Sequence, residues 1–99
     1  MAEVAKPEPL AKRGGCWFEA GAVRLHLGVE QAFQPALKAH PALAVAGFAQ
    51  FCLRLRASGI EVREDNEIPD LPRANIFDPF GNRIELVGAD GLEPPTLSV

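Results

Sequence analysis

The chain has 99 residues, of which 47% are apolar and 23% charged, with a formal net charge of -3. This length predicts one compact domain and excludes a multidomain protein, because a second hydrophobic core needs roughly 50 further residues. The acidic balance and the lack of a run rich in Lys and Arg exclude a nucleic-acid partner, since phosphate binding needs clustered cations.

The first segment, residues 1–13, is charged and contains two prolines, so it lacks the apolar centre of a signal peptide. The longest apolar stretch, residues 41–49, is far shorter than the roughly 18 to 20 residues that cross a bilayer. We therefore predict a cytoplasmic protein without a membrane partner. Residues 3–9 are expected to be an extended edge piece, because their prolines disfavour a helix.

A hairpin is predicted next. Val23–Leu27 alternates apolar and polar residues strictly, which is the period of a strand with one buried face. Residues 16–19 form a shorter aromatic strand, and the small residues 20–22 supply the turn between the two strands.

One strand, one helix and three further strands are predicted from residue 38 onward. From Phe48, apolar residues recur at helical spacing until Ser58 and Gly59 end the helix. Asp78 opens a tight turn between the last two strands, where its side chain is expected to bond the backbone two residues on. The predicted bounds, in chain order, are residues 40–45, 48–57, 60–63, 73–77 and 82–87.

This order of elements, ending in the sequence DPFGNRIELV, resembles the repeat module of the vicinal-oxygen-chelate superfamily, which includes glyoxalases, extradiol dioxygenases and bleomycin- or fosfomycin-resistance proteins. The similarity is most specific at residues 78–87, and the sequence AHPALAV at residues 39–45 is a second motif. The resemblance implies an α+β fold with a curved mixed sheet. Its parts are one glyoxalase-like domain over 1–88, made of an incomplete βββ module within 1–30 and a complete βαβββ module at 38–88, and a flexible tail at 89–99.

The start of the chain resembles a family member shortened just after its first helix. Superfamily members pair two modules around one cavity, and this sequence has no counterpart of the opening strand and helix. We expect a chain shortened upstream of Met1, the alternative being a lineage in which a partner supplies or replaces that pair. A homodimer is the expected assembly, since small domains with an uncovered apolar face need a partner.

Three residues are candidate metal ligands. Metal-dependent members of the superfamily take ligands from the first and last strands of each module, which implies that His26, His40 and Glu85 bind a divalent ion such as Zn, Fe, Mn or Ni, with Glu85 also the catalytic residue. Strand alternation independently places all three on polar faces. Two imidazoles and a carboxylate form a donor set that leaves positions open for substrate. Alternatively, they are ordinary polar residues of a solvated sheet face.

Four more residues are candidates for binding a small-molecule substrate. Trp17 can stack on a planar ligand, or fill a core or a subunit interface. Arginines can hold a carboxylate or phosphate, or remain solvated, and those on the predicted strands are Arg24, Arg73 and Arg83.

Other chemistry has no support in the motifs. No pairing of a nucleophile with a histidine and no phosphate-binding glycine loop is present. Cys16 and Cys52 have neither a CxxC nor a metal-finger spacing, so both are expected to be small buried apolar residues.

Three functions remain open from the sequence. The first is a metal-dependent lyase, isomerase or dioxygenase whose substrate offers two adjacent oxygens to the ion. The second is a metal-free protein that binds a small molecule, as drug-resistance proteins do. The third is a non-catalytic dimeric remnant of the fold.

Overall fold

A computed structural model describes residues 1–89 of the chain. These residues divide into two compact units, residues 1–34 and the residues from Pro35 onward. The tail expected at 89–99 lies, apart from Ala89, outside the described residues. Within residues 1–89, no helix has the length and apolar character needed to cross a membrane.

The first unit is a three-stranded antiparallel sheet in the order β1-β2-β3. The predicted β2–β3 hairpin is confirmed. Its register opposes Trp17 to His26 and Glu19 to Arg24, so these four side chains share one face. The strands are β1 at Ala2–Val4, β2 at Cys16–Ala20 and β3 at Val23–Leu27.

Between β1 and β2 lies a short helix, α1, at Glu8–Ala11, which the sequence does not predict. The expected extended piece over residues 3–9 is therefore wrong in its second half. Pro7 occupies the N-cap position and Pro9 the first turn of α1. Backbone N–H groups in the first turn have no partner within the helix, so proline loses no hydrogen bond there. The two prolines start this helix rather than prevent it.

The second unit is a βαβββ module, and with the three preceding strands it confirms the expected α+β fold. Its strands form a mixed sheet in the order β4-β7-β6-β5, in which β4 runs parallel to β7 and the other neighbours are antiparallel. The elements are β4 at Ala42–Val45, α2 at Phe48–Ala57, β5 at Arg63–Asp65, β6 at Arg73–Phe77 and β7 at Arg83–Gly88.

Strand β5 begins later than the predicted 60–63. The backbone N–H of Gly59 donates to the carbonyl oxygen of Arg56, and that of Ile60 donates to the carbonyl oxygen of Leu55. Gly59 has a φ of 83°, so these two bonds form a Schellman cap at the end of α2. Residues 59 and 60 complete the helix, and strand pairing starts only at Arg63.

The sheet of the second unit has one apolar and one polar face. Ala74 and Leu86 are direct partners in β6 and β7, and both are buried, as is Cys52 of α2. Alternation turns Arg73 and Glu85 to the opposite face, which for Glu85 is the face that the sequence predicts. Cys52 is a buried apolar residue as expected, whereas Cys16 of the first unit is only half-buried.

The turn between β6 and β7 is organised by the Asp78 carboxylate. One oxygen accepts the backbone N–H groups of Phe80 and Asn82 at 2.9 and 2.8 Å, and the other accepts the Asn82 side-chain amide at 2.7 Å. Burial raises the pKa of Asp78, but the hydrogen bonds from Asn82, Phe80 and Gly81 outweigh it and hold the pKa below its ordinary value. The expected turn-capping role of Asp78 agrees with these contacts.

Replacing Asp78 with Ala is expected to lower the free energy of unfolding by about 1.5 to 3 kcal/mol, because three hydrogen bonds to a charged acceptor are lost. Asp78→Asn keeps an acceptor for the two backbone groups and is expected to lose less. Urea denaturation measures both, with the exposed loop change Glu30→Gln as the control. Equal stability of Asp78→Ala and the parent chain would contradict this role.

Candidate functional site

Four side chains form a continuous charged row across the polar face of the second unit. Asp65 Oδ2 lies 3.4 Å from Arg73 Nη1, and Arg73 Nε donates to Glu85 Oε2 at 3.2 Å. Glu85 Oε1 lies 3.1 Å from His40 Nε2. The four side chains are between 14% and 22% exposed, so the row is largely withdrawn from solvent.

The register of the strands brings the members of the row together. Asp65 of β5 is the direct partner of Arg73 of β6. The backbone N–H of Glu85 donates to the carbonyl oxygen of Pro41 at 2.9 Å, which fixes residue 40 beside β7. The row therefore crosses from β5 through β6 and β7 to the residue that precedes Pro41 and β4.

The hydrogen bonds of His40 define which of its nitrogens carries hydrogen. Nδ1 lies 2.6 Å from the carbonyl oxygen of Lys38. A carbonyl oxygen can only accept, so Nδ1 donates and Nε2 is the nitrogen that faces Glu85. The contact between Nε2 and a carboxylate oxygen is attractive only with a proton or a metal cation between them.

Glu85 is held as an anion by its neighbours. The hydrogen bond from Arg73 lowers the pKa of Glu85, and the bond from His40 adds to this effect, while burial opposes it. The same contact with Glu85 raises the pKa of Arg73. At neutral pH, the Glu85 carboxylate therefore acts only as an acceptor, for a hydrogen bond or for a metal.

His40 and Glu85 fit a divalent ion as two neighbouring ligands. Nitrogen and oxygen ligands at zinc-like bond lengths stand about 3.0 to 3.4 Å apart on one ion, and the observed separation is 3.1 Å. The Lys38 carbonyl and Arg73 supply the outer hydrogen bonds that such ligands usually have. Among residues 1–89, no three His, Cys, Asp or Glu side chains form a metal-binding group. A third ligand at His26 stays a prediction.

In the first unit, His26 stacks face to face on Trp17. The ring centroids are 3.7 Å apart and the ring planes differ by 4°. His26 is exposed, and within the described chain no hydrogen bond reaches its imidazole nitrogens. Both residues line an open groove of about 250 Å³ together with Lys6 and Arg13. The ring edge of His26 and one side of Trp17 thus border a space of small-ligand size.

The three candidate arginines have different surroundings. Arg73 belongs to the charged row and bonds two carboxylates. Arg83 Nε donates to the neutral amide oxygen of Asn75 at 2.9 Å. Arg24 of β3 is exposed and faces Glu19 across the hairpin in the first unit. Their predicted contacts with substrate stay predictions.

Sequence reasoning missed two polar partners in the site, Asp65 and Asn75. Asp65 lies in a polar stretch, residues 64–72, that reads as a connection until the late start of β5 places it in the sheet. Asn75 alternates with Arg73 along β6, and this parity is the signal that could have placed it on the polar face.

Two of the matching solved structures show what this chain is similar to. A protein from Bacillus anthracis assigned to the glyoxalase family is 51% identical, with a TM-score of 0.84 over 89% of this chain and 72% of that chain. Lactoylglutathione lyase from Agrobacterium tumefaciens shares the fold, with a TM-score of 0.60 and 18% identity over 88% of this chain and 74% of that chain. No protein-family model matches, and neither does any curated protein.

Replacing Arg73 with Met removes the cation between Asp65 and Glu85, and we expect the free energy of unfolding at neutral pH to fall by about 2 to 3 kcal/mol. The lowered pKa of Glu85 means that its stabilisation is present above the ordinary carboxyl pKa and is lost as pH falls through the lowered value. The difference in unfolding free energy between Arg73→Met and the parent chain should therefore be largest near neutral pH and should shrink as the pH falls through and below the ordinary pKa of a carboxyl group.

The control for this titration is Arg63→Met on the same face of the sheet. Arg63 pairs with Glu61, and the two side chains are 61% and 73% exposed, so its loss should change stability little at any pH. Urea denaturation across the pH range measures both variants. A pH-independent loss in Arg73→Met would show that packing of its stem, rather than the ion pairs, stabilises the row.

Proposed function

Because the chain belongs to the glyoxalase family of the vicinal-oxygen-chelate superfamily, we propose that it is a divalent-metal-dependent lyase, isomerase or dioxygenase acting on a small substrate with two adjacent oxygen atoms. The observation that carries this proposal is the 3.1 Å contact between His40 Nε2 and Glu85 Oε1. A ring nitrogen and a carboxylate oxygen lie there at a separation that suits two ligands of one cation.

In this proposal, His40, Glu85 and His26 hold the ion, which can be Zn, Fe, Mn or Ni. The ion supplies Lewis-acid polarisation of the two substrate oxygens. The carbonyl oxygen of Lys38 keeps Nε2 of His40 directed toward Glu85. Arg73 orients the Glu85 carboxylate and keeps it ionised, so the pair is preorganised for a ligand.

The lowered pKa of Glu85 favours a ligand role over proton transfer. A general base works best when its pKa lies near the working pH, whereas the hydrogen bond from Arg73 moves the pKa of Glu85 in the other direction. For Glu85 to act as the proposed catalytic base, its hydrogen bond with Arg73 therefore has to break. Substrate contacts are proposed for the stacked ring of Trp17 and for the arginines Arg24, Arg73 and Arg83.

The second candidate is a metal-free protein that binds a small molecule. Arg73 already supplies Glu85 with a cation, and a proton on Nε2 of His40 completes the pairing. Each charged side chain of the row then has a partner without an added metal ion. This pairing favours the metal-free binding function if metal binding fails. The non-catalytic dimeric remnant stays as a third alternative.

Metal titration separates these candidates. The parent chain is expected to bind one equivalent of Zn²⁺ or Mn²⁺ by calorimetry and elemental analysis, and His40→Ala and Glu85→Gln to lose at least about tenfold in affinity. His26→Ala tests the third ligand in the same way. Glu61→Gln, an exposed carboxyl on the same unit, is the matched control and should bind as the parent chain does. Far less than one ion per parent chain, or unchanged affinity in His40→Ala, would leave the metal-free candidate.

We also propose that the chain forms a homodimer. No side chain of residues 1–34 is buried, and on the apolar face of β3 Val23 is 47% and Leu27 46% exposed. Half-exposed branched side chains in one row are costly to leave in water, and a second copy of the chain can cover them. The expected cytoplasmic location stays a prediction.

Sedimentation velocity at micromolar concentration is expected to show a dimer, and Leu27→Glu is expected to shift it to monomer. Leu37, which is 97% exposed in a loop, provides the matched control, since Leu37→Glu should leave the assembly unchanged. A stable, folded monomer of the parent chain would disprove the homodimer.

A further inference from the structure

Two arginines on the polar face of the second unit, Arg73 and Arg83, differ in how their charge is balanced. Arg73 is enclosed by carboxylates on both sides, Asp65 and Glu85. Arg83 is half-buried, and its only partner among residues 1–89 is the amide oxygen of Asn75, reached by Nε at 2.9 Å. A guanidinium carries five N–H donors in a planar fork, so the donors on Nη1 and Nη2 of Arg83 have no acceptor in this part of the chain.

The contact with Asn75 places the Arg83 guanidinium beside the candidate metal ligands. Arg83 and Glu85 are two residues apart on β7, so their side chains share a face and their Cα atoms lie about 7 Å apart. Asn75 is the direct partner of Glu85 on β6. By bonding Asn75, the Arg83 side chain leans from its own position toward the row that contains Glu85 and His40.

This arrangement is suited to an anion. Asn75 fixes the guanidinium without neutralising it, because an amide carries no charge. A partly desolvated, oriented arginine binds carboxylate or phosphate oxygens through two parallel hydrogen bonds. Arg83 suits an anion better than Arg73 does, since an anion at Arg73 would compete with Glu85 and Asp65 for the same guanidinium.

We infer that Arg83 binds an anionic group of the substrate, a carboxylate or a phosphate, while the two adjacent oxygens of that substrate lie at His40 and Glu85. The position of the two adjacent oxygens at His40 and Glu85 rests on the proposed function. It narrows the substrate class to oxygenated organic anions of small size, in which the anionic group and the adjacent oxygens are separated by a distance comparable to two residues of a strand.

Catechol and 3,4-dihydroxybenzoate are matched probes for this assignment, because both present two adjacent oxygens and only the second adds a carboxylate. With the zinc-loaded parent chain, calorimetry is expected to show at least about tenfold tighter binding of 3,4-dihydroxybenzoate, a preference typical of a charge-assisted pair. Arg83→Gln is expected to bind the two probes equally, with its affinity for catechol unchanged. Arg63→Gln, an exposed arginine on the same face, should keep the preference.

Equal binding of both probes by the parent chain, or an undiminished preference in Arg83→Gln, would overturn the assignment. Arg83→Lys, which keeps the charge and loses the fork, guards against a folding defect and is expected to retain part of the preference. Zinc titration without a probe separates this inference from the proposed function, since Arg83→Gln should bind zinc as the parent chain does.

If the parent chain binds no zinc, the proposed function fails while Arg83 can still be tested. Benzoate and phenol are then compared on the metal-free protein. Tighter binding of benzoate that disappears in Arg83→Gln supports the anion site, and equal binding of the two probes overturns it.

Discussion

The hydrogen bonds of Arg73 are the interaction on which the polar face of this protein depends. Charged groups that are less than one quarter exposed are destabilising unless they are paired, and Arg73 connects Asp65 on one side to Glu85 on the other. Arg73 lies on β6 and contacts side chains on β5 and β7. It therefore links the same three strands that the backbone hydrogen bonds of the sheet link. Without it, two carboxylates would stand together on the same face of the sheet.

The same interaction determines what chemistry Glu85 can perform. It lowers the pKa of Glu85, and it bonds both carboxylate oxygens, Oε2 at 3.2 Å and Oε1 at 3.4 Å, while Oε1 also faces His40. Arg83, two residues along β7, is held by a neutral amide instead. Within residues 1–89, Arg73 is therefore paired with carboxylates, whereas Arg83 bonds only a neutral amide. This difference arises from the partners that each side chain meets, since the residue type is the same.

Family membership and fold carry different weight for function. The 51% identity to the Bacillus anthracis protein places the chain in the glyoxalase family, while the 18% identity to lactoylglutathione lyase shows only a common fold. A fold of this kind supports many reactions, so function depends on particular residues. Two features bear on the choice of substrate: the contact between His40 and Glu85, and Arg83, which no carboxylate of residues 1–89 contacts.

Local patterns in the sequence determined much of the fold and part of the site. Alternation along Val23–Leu27 and Arg83–Gly88 assigned each side chain to a face, helical spacing located α2, and Asp78 marked the tight turn, because these features depend on residues close in sequence. The start of α1 at Pro7 and the late start of β5 depend on backbone geometry at helix ends. The spacing of apolar residues does not reveal this geometry. Only the tertiary structure decided that Arg73 meets Asp65 and Glu85 and that Arg83 meets Asn75, because these partners follow from the register between neighbouring strands, which alternation within each single strand does not determine.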